Sequence, residues 1–121
     1  MADAHEAVRP APLSIGTSAV DAVRIVALRG EIDHRIRDHL QQALLRDGPT
    51  SAPRIVVDLS GVTFMDSTGV NVLICAHRAA VDAQGWLRLA APPEGVLRVM
   101  QIVGLDAVIP CYPALRRALD A

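Results

Sequence analysis

The sequence predicts an α/β domain whose sheet of about five strands is mixed and mainly parallel, accompanied by about four helices in the order ββαβαβαβα. Three observations carry this reading. Strand-like and helix-like segments alternate along most of the chain, which calls for parallel strands joined by helical crossovers. "RIVVDLS", residues 54 to 60, places the β-branched run Ile55, Val56 and Val57 before Leu59, the pattern of a strand buried on both faces and hence of a sheet centre. Two strand-like runs also open the fold back to back, as a hairpin that makes the sheet mixed.

Residues 1 to 12 carry Ala, Pro and charge without periodicity, and are expected to form a flexible arm ahead of a single domain over 13 to 121. In "LSIGTSAV" Leu13, Ile15 and Thr17 alternate, and after "DA" the run "VRIVALRG" is richer in β-branched residues, so the pair reads as a hairpin ending at Gly30. "EIDHRIRDHLQQALLRDG" changes to helical spacing. Ile36, Leu40, Ala43 and Leu44 share a face, Asp33 is the candidate N-cap and Gly48 the stop, with Pro49 and Pro53 in the following loop. From about Ser67 to Gln84 a helix carries two apolar stripes, Val70, Leu73, Ile74 and Val81 on one and Val72, Ala76, Ala79 and Ala83 on the other, which predicts that it is largely buried. Gly85 ends it and "WLRLAA" alternates as a strand. "PEGVLRVMQIVG" is a short helix with Val96, Leu97, Met100 and Val103 inward. "AVIPCY" is the last strand, and Pro110, which cannot donate to a ladder, argues for an edge. "PALRRALD" closes the chain as an amphipathic helix, with Pro113 suited to its first turn.

Composition narrows the function classes. At 121 residues the chain suits one core, and 51% apolar against 21% charged residues is near the globular average. No apolar stretch approaches the ~20 residues of a spanning helix, and "MADAHEAVRPAP" lacks the basic and apolar regions of a secretory signal, so a cytoplasmic location is expected, with no membrane contact. All twelve basic residues are arginine, but they are scattered and balanced by thirteen acids, and Phe64, Trp86 and Tyr112 are the only aromatics. Such a chain offers neither the basic patch nor the stacking platform of a nucleic-acid binder. Cys75 and Cys111 have no metal-ligand spacing and read as buried free thiols. His5, His34, His39 and His77 share no metal spacing either, and no cofactor is expected.

The chemistry concentrates at "FMDSTGV", residues 64 to 70, where a strand-like run gives way to a helix-like one. With Asp66 as N-cap, its carboxylate can accept from the backbone N–H of Thr68 or Gly69, and Ser67 stands at the first helical position. Met65 and Val70 can then pack as a hydrophobic staple. Gly69 costs about 1 kcal/mol of helix propensity relative to alanine, which suggests close approach by another surface, although packing inside the protein would look the same. A bare capping cluster is one reading of the segment. Catalysis by Ser67 would need a base, yet His77 lies ten residues on, ~15 Å along the axis. His34 follows another strand and could come closer, but neither a G-x-S-x-G elbow nor the glycine-rich loop and lysine of a P-loop is present. As a phosphate acceptor, Ser67 would sit where a helix start tolerates anions, so that the fold survives modification while a docked partner is repelled.

At this point the chain resembles the STAS domain family, and specifically the bacterial anti-sigma factor antagonists, or anti-anti-sigma factors. The resemblance runs from about Leu13 to Leu119 and is carried by "LRGEID" (28 to 33), "IVVDLSGVTFMDSTGVNVL" (55 to 73) and "MQIVGLDAVIP" (100 to 110). It implies a STAS-like sheet and a protein that is not an enzyme. It makes Ser67 the residue phosphorylated by a partner that is both an anti-sigma factor and a serine kinase, with Asp66, Thr68 and Gly69 shaping the site. The unphosphorylated form would bind that partner and release the sigma factor, the phosphorylated form would let go, and a PP2C-type phosphatase would restore activity. The turn Gly30, Glu31, Asp33 matches the family's Gly-Glu-Leu-Asp turn and would neighbour Ser67 on the partner-facing surface; its acids read alternatively as solvated loop charges. Thr68 and Val70 replace a commoner serine and leucine. A non-switching STAS scaffold, an accessory subunit of a stress-sensing or transporter complex, and a small hydrolase are the other readings.

Overall fold

In the computed structural model, which describes residues 12–45 and 52–121, the opening hairpin forms because two residues can reverse the chain. Strand β1 (Leu13–Val20) pairs antiparallel with β2 (Val23–Ile32), in register from Leu13↔Gly30 to Val20↔Val23. Asp21 and Ala22 between them both hold positive φ, 50° and 68°, the conformation a two-residue hairpin turn requires. Strand β3 (Arg54–Met65) lies parallel to β2 and to β4 (Trp86–Ala90), and the short β5 (Cys111–Tyr112) adds parallel to β4. The sheet order is β1-β2-β3-β4-β5, so β3 occupies the centre and β5, next to Pro110, an edge.

The helices are α1 (Arg37–Leu44), entered through a 3-10 turn over His34–Ile36, then α2 (Ser67–Asp82), α3 (Glu94–Val103), α4 (Leu105–Val108) and α5 (Leu115–Asp120). Ile55 and Val57 of β3 join the main core with Leu40, Leu44, Leu73 and Met100, whereas Val56 belongs to a second cluster with Val23, Ala90 and Ala118. The β-branched run is therefore buried on both faces, as its composition predicts. Helix ends are tied back to the sheet by arginines. Arg24 of β2 donates to the carbonyls of Ala43 (2.6 Å) and Leu44 (2.9 Å), two of the acceptors that α1 leaves unpaired at its C-terminus. Arg88 of β4 donates to the Ala118 carbonyl (2.9 Å) while its guanidinium lies 3.6 Å above the Trp86 ring.

Several boundaries differ from the sequence reading. Strand β2 runs past Gly30 to Ile32 and β3 past Ser60 to Met65, because the two continue pairing through register shifts at Ala27/Arg29 and Gly30/Glu31. Helix α2 is buried on one side only: Val72, Leu73, Ala76 and Ala80 face the core, while Ala79 and Ala83 are exposed and Val81 is 51% exposed. Cys75 shares that outer side and is exposed rather than buried; Cys111 is half-buried, and burial pushes its thiol up. Val103 is likewise exposed at the end of α3. A fifth helix replaces the first half of the expected last strand. Gly104 takes a left-handed φ of 76° and ends α3, and Leu105 and Ile109 are both buried, joined by an Ile109 N–H to Leu105 C=O bond of 2.9 Å that makes one helical turn. The expected arm, except Pro12, and the expected stop at Gly48 lie outside the described residues. Among the described residues no helix is long and apolar enough to cross a membrane.

Leu73 is fully buried where α2 meets the sheet. Leu73→Ala should lower unfolding stability by about 2–5 kcal/mol through lost burial and a residual cavity. Urea unfolding should register this as a lower midpoint with an unchanged slope.

Candidate functional site

Two turns meet at one end of the sheet because β2 and β3 stay paired to their last residues. Glu31 is in register with Phe64 and Ile32 with Met65, and the Asp66 N–H donates to the Ile32 carbonyl at 3.1 Å. The segments that follow, Asp33 to Arg35 and Asp66 to Gly69, therefore leave the sheet from the same end of two neighbouring strands.

The second of these turns is built as the sequence reading anticipates. Asp66 has extended backbone at the N-cap of α2, and its Oδ1 accepts from the N–H of Thr68 (2.9 Å) and of Gly69 (3.4 Å). Ser67 is the first helical residue and is exposed. Met65 and Val70 are both buried around it. Gly69 has an internal packing reason: a Cβ there would fall 2.6 Å from Ile32 Cγ2 and 2.7 Å from Met65 Cγ. Thr68 is also buried, 9% exposed, so Thr68 and Gly69 support the turn from beneath and Ser67 is the hydroxyl that solvent reaches.

The first turn has its own cap. Asp33 accepts from the Arg35 backbone N–H at 2.9 Å, and the Arg35 guanidinium returns to it through Nε (3.1 and 3.0 Å to the two carboxylate oxygens) and Nη2. The same Nη2 donates to Glu31 Oε1 at 3.0 Å. These side-chain bonds from Arg35, with the backbone N–H second, hold the Asp33 carboxyl at about 2, below its usual 3.8, and the bond to Asp33 in turn raises the Arg35 guanidinium. Gly30, on β2 three residues before Asp33, packs against Pro12. Its φ is +114°, a Cβ on it would lie 2.2 Å from the Pro12 carbonyl oxygen, and that oxygen accepts from the Glu31 N–H at 2.7 Å.

Of the seven residues singled out from the sequence, Gly30 and Glu31 lie near the end of strand β2 and not on a turn, because pairing with β3 continues to Ile32; Asp33 caps the 3-10 turn that follows, and Asp66, Ser67, Thr68 and Gly69 form the start of α2. Two neighbours escaped sequence reasoning. Phe64 is 49% exposed beside Glu31, and Arg35 clamps both acids. The i, i+4 spacing of Glu31 and Arg35 carried a signal, yet it reads like any solvated pair until the strand register is known. No hydrogen bond joins Ser67 to a histidine among the described residues; His77 Nδ1 is buried in α2 with no partner, and His34 is exposed.

Asp66→Ala should cost about 0.5–2 kcal/mol by uncapping α2, measurable by urea unfolding at neutral pH. Because the folded Asp33 carboxyl is depressed to about 2 from 3.8, its stabilising effect is complete above about pH 4 and disappears as pH falls through 2. Stability of the wild type should fall more steeply than that of Asp33→Asn between those limits, as measured by unfolding at a series of pH values.

Comparison with known proteins places this geometry in a family. The family model described as "Mlab, STAS domain" matches residues 15–110. The anti-sigma-F factor antagonist RsfB of Mycobacterium tuberculosis is 29% identical over 114 residues, covering 90% of each chain. The crystal structure of an anti-sigma factor antagonist from Mycobacterium paratuberculosis superposes with a TM-score of 0.82 at 30% identity, over 93% of this chain and 95% of that one. The anti-sigma factor antagonist SpoIIAA in its unphosphorylated form gives a TM-score of 0.66 at 25% identity, over 88% and 94% of the two chains. On its fold, and on a family model that spans most of its length, the chain belongs to the STAS domain family.

Proposed function

We propose that this protein is an anti-sigma factor antagonist, that its partner is an anti-sigma factor with serine kinase activity, and that phosphorylation of Ser67 switches the interaction off. The observation that carries the reading is the exposed Ser67 hydroxyl on the first residue of α2, in a turn whose own backbone donors are already capped by Asp66. A hydroxyl without a base of its own suits a substrate of another protein's chemistry. The partner would deliver the γ-phosphoryl group of ATP to Ser67 Oγ and take up the hydroxyl proton, and a PP2C-type phosphatase would hydrolyse the ester. The relatives named as anti-sigma factor antagonists support the partner class, and one of them is described in an unphosphorylated form.

The physical logic is differential. A phosphate of about −1.5 to −2 charges at a helix start meets the positive end of the macrodipole, so the fold tolerates it. The partner's docked surface would instead face Phe64, Glu31 and the new dianion together. Thr68 and Gly69 contribute by holding the turn, and Gly30, Glu31 and Asp33 by presenting the adjacent one. Unmodified protein would occupy the anti-sigma factor and set the sigma factor free to act in the cytoplasm.

Ser67→Asp should weaken binding to the candidate anti-sigma factor about 10- to 100-fold, or ~1.4–2.8 kcal/mol, while the unfolding midpoint stays nearly constant. Calorimetric titration of the two forms checks this, and equal affinities would defeat a charge-operated switch. Incubation with the partner and ATP should place the phosphate on Ser67; transfer undiminished in Ser67→Ala would move the site elsewhere.

A further inference from the structure

Arg35 is the cation that links the two acids of the turn beside Ser67. Its guanidinium donates to Asp33 and to Glu31, and its side chain is still 52% exposed, so it can leave both without a cavity or a repacked core. His34 and Arg37 of the same segment are exposed and make no ion pair among the described residues, and Asp66, across from them, is engaged in capping α2. Asp33 keeps its bond from the Arg35 backbone N–H whatever the guanidinium does, which preserves the turn. The register Ile32↔Met65 and the Asp66 N–H to Ile32 carbonyl bond bring this turn alongside Ser67.

Resting on the reading of Ser67 as a phosphate acceptor, we infer that Arg35 is the internal receptor of the phosphate: when Ser67 carries a phosphoryl group, the Arg35 guanidinium transfers from Asp33 and Glu31 to the phosphate oxygens. A guanidinium offers a planar fork of donors that fits phosphate in two parallel charge-assisted hydrogen bonds. No covalent bond changes in this step; one ion pair replaces another. Modification at one turn is thereby passed to its neighbour, because Glu31 and Asp33 lose the cross-link that orders them. The off state then differs from the on state at two places on the same surface, the added charge at residue 67 and an unclamped acidic turn at 31–33.

The test uses full-length protein with phosphoserine installed at position 67 by semisynthesis, so that no kinase is needed. NMR near pH 7, where the phosphate is largely a dianion, follows the Arg35 Nε–H of the two wild-type forms, and a phosphorus titration compares phosphorylated wild type with phosphorylated Arg35→Gln. On phosphorylation of the wild type the Arg35 Nε–H should shift, and the second ionisation of the phosphate should lie below that in Arg35→Gln. An Arg35 Nε–H that stays unchanged on phosphorylation overturns the inference. So does a second ionisation that is equal in wild type and Arg35→Gln. Arg35→Lys, which keeps the charge and loses the fork, serves as the second variant should Arg35→Gln disturb the fold, and should give a smaller wild-type-like response. Failure here leaves the partner reading intact, because that reading is decided by the affinity of Ser67→Asp for the anti-sigma factor.

Discussion

The parallel pairing of β2 with β3 is the interaction on which the rest of this structure depends. It begins at Arg24↔Ile55 and persists through two register shifts to Ile32↔Met65, well beyond the point where β4 stops at Ala90 opposite Asp58. Had the two strands separated at Gly30 and Ser60, the turns that follow would have left the sheet at unrelated heights. Continued pairing instead fixes Asp66 to Ile32 through a backbone hydrogen bond and buries Ile32 and Met65 under the first turn of α2. A glycine at 69 is what allows that approach, since the space a Cβ needs is filled by those two side chains.

Rigidity at this end of the sheet follows from satisfied backbone groups more than from a deep pocket. Asp66 and Asp33 each cap the segment that succeeds a strand, and each accepts a backbone N–H at 2.9 Å. Side chains that would otherwise compete for those donors are therefore free to face outward, Ser67 and Glu31 among them. Burial and display alternate from 65 to 69: Met65 is buried, Asp66 half-buried, Ser67 exposed, and Thr68 and Gly69 buried.

How much of this was legible in the sequence depends on the range of the interaction. The cap by Asp66, the first-turn position of Ser67 and the burial of Met65 and Val70 all rest on residues close together in sequence and were readable. The meeting of "GEID" with "DSTGV" came from family resemblance alone, since nothing in the spacing of residues 30 and 67 sets their distance. Arg35 and Phe64 were passed over for the same reason. Each looks like an ordinary surface residue until the fold shows Phe64 in register with Glu31, and Arg35 bonded to Glu31 and Asp33. The two-stripe reading of α2 failed differently: alanine and valine at helical spacing indicate compatibility with a core, but the sheet offers a helix one face, so Val81, Ala79 and Cys75 turn to solvent.

By itself the sequence determined the alternation of strands and helices, the central place of Ile55–Val57 and the edge placement of the last strand, though not its start, because hydrophobic period and proline chemistry act locally. Only the tertiary structure decided how far β2 and β3 run together, that Leu105–Val108 coils instead of extending, and that Gly69 yields its space to Ile32 rather than to a partner. These outcomes depend on which buried side chains meet across the core, and packing between residues distant in sequence leaves no periodic trace along the chain.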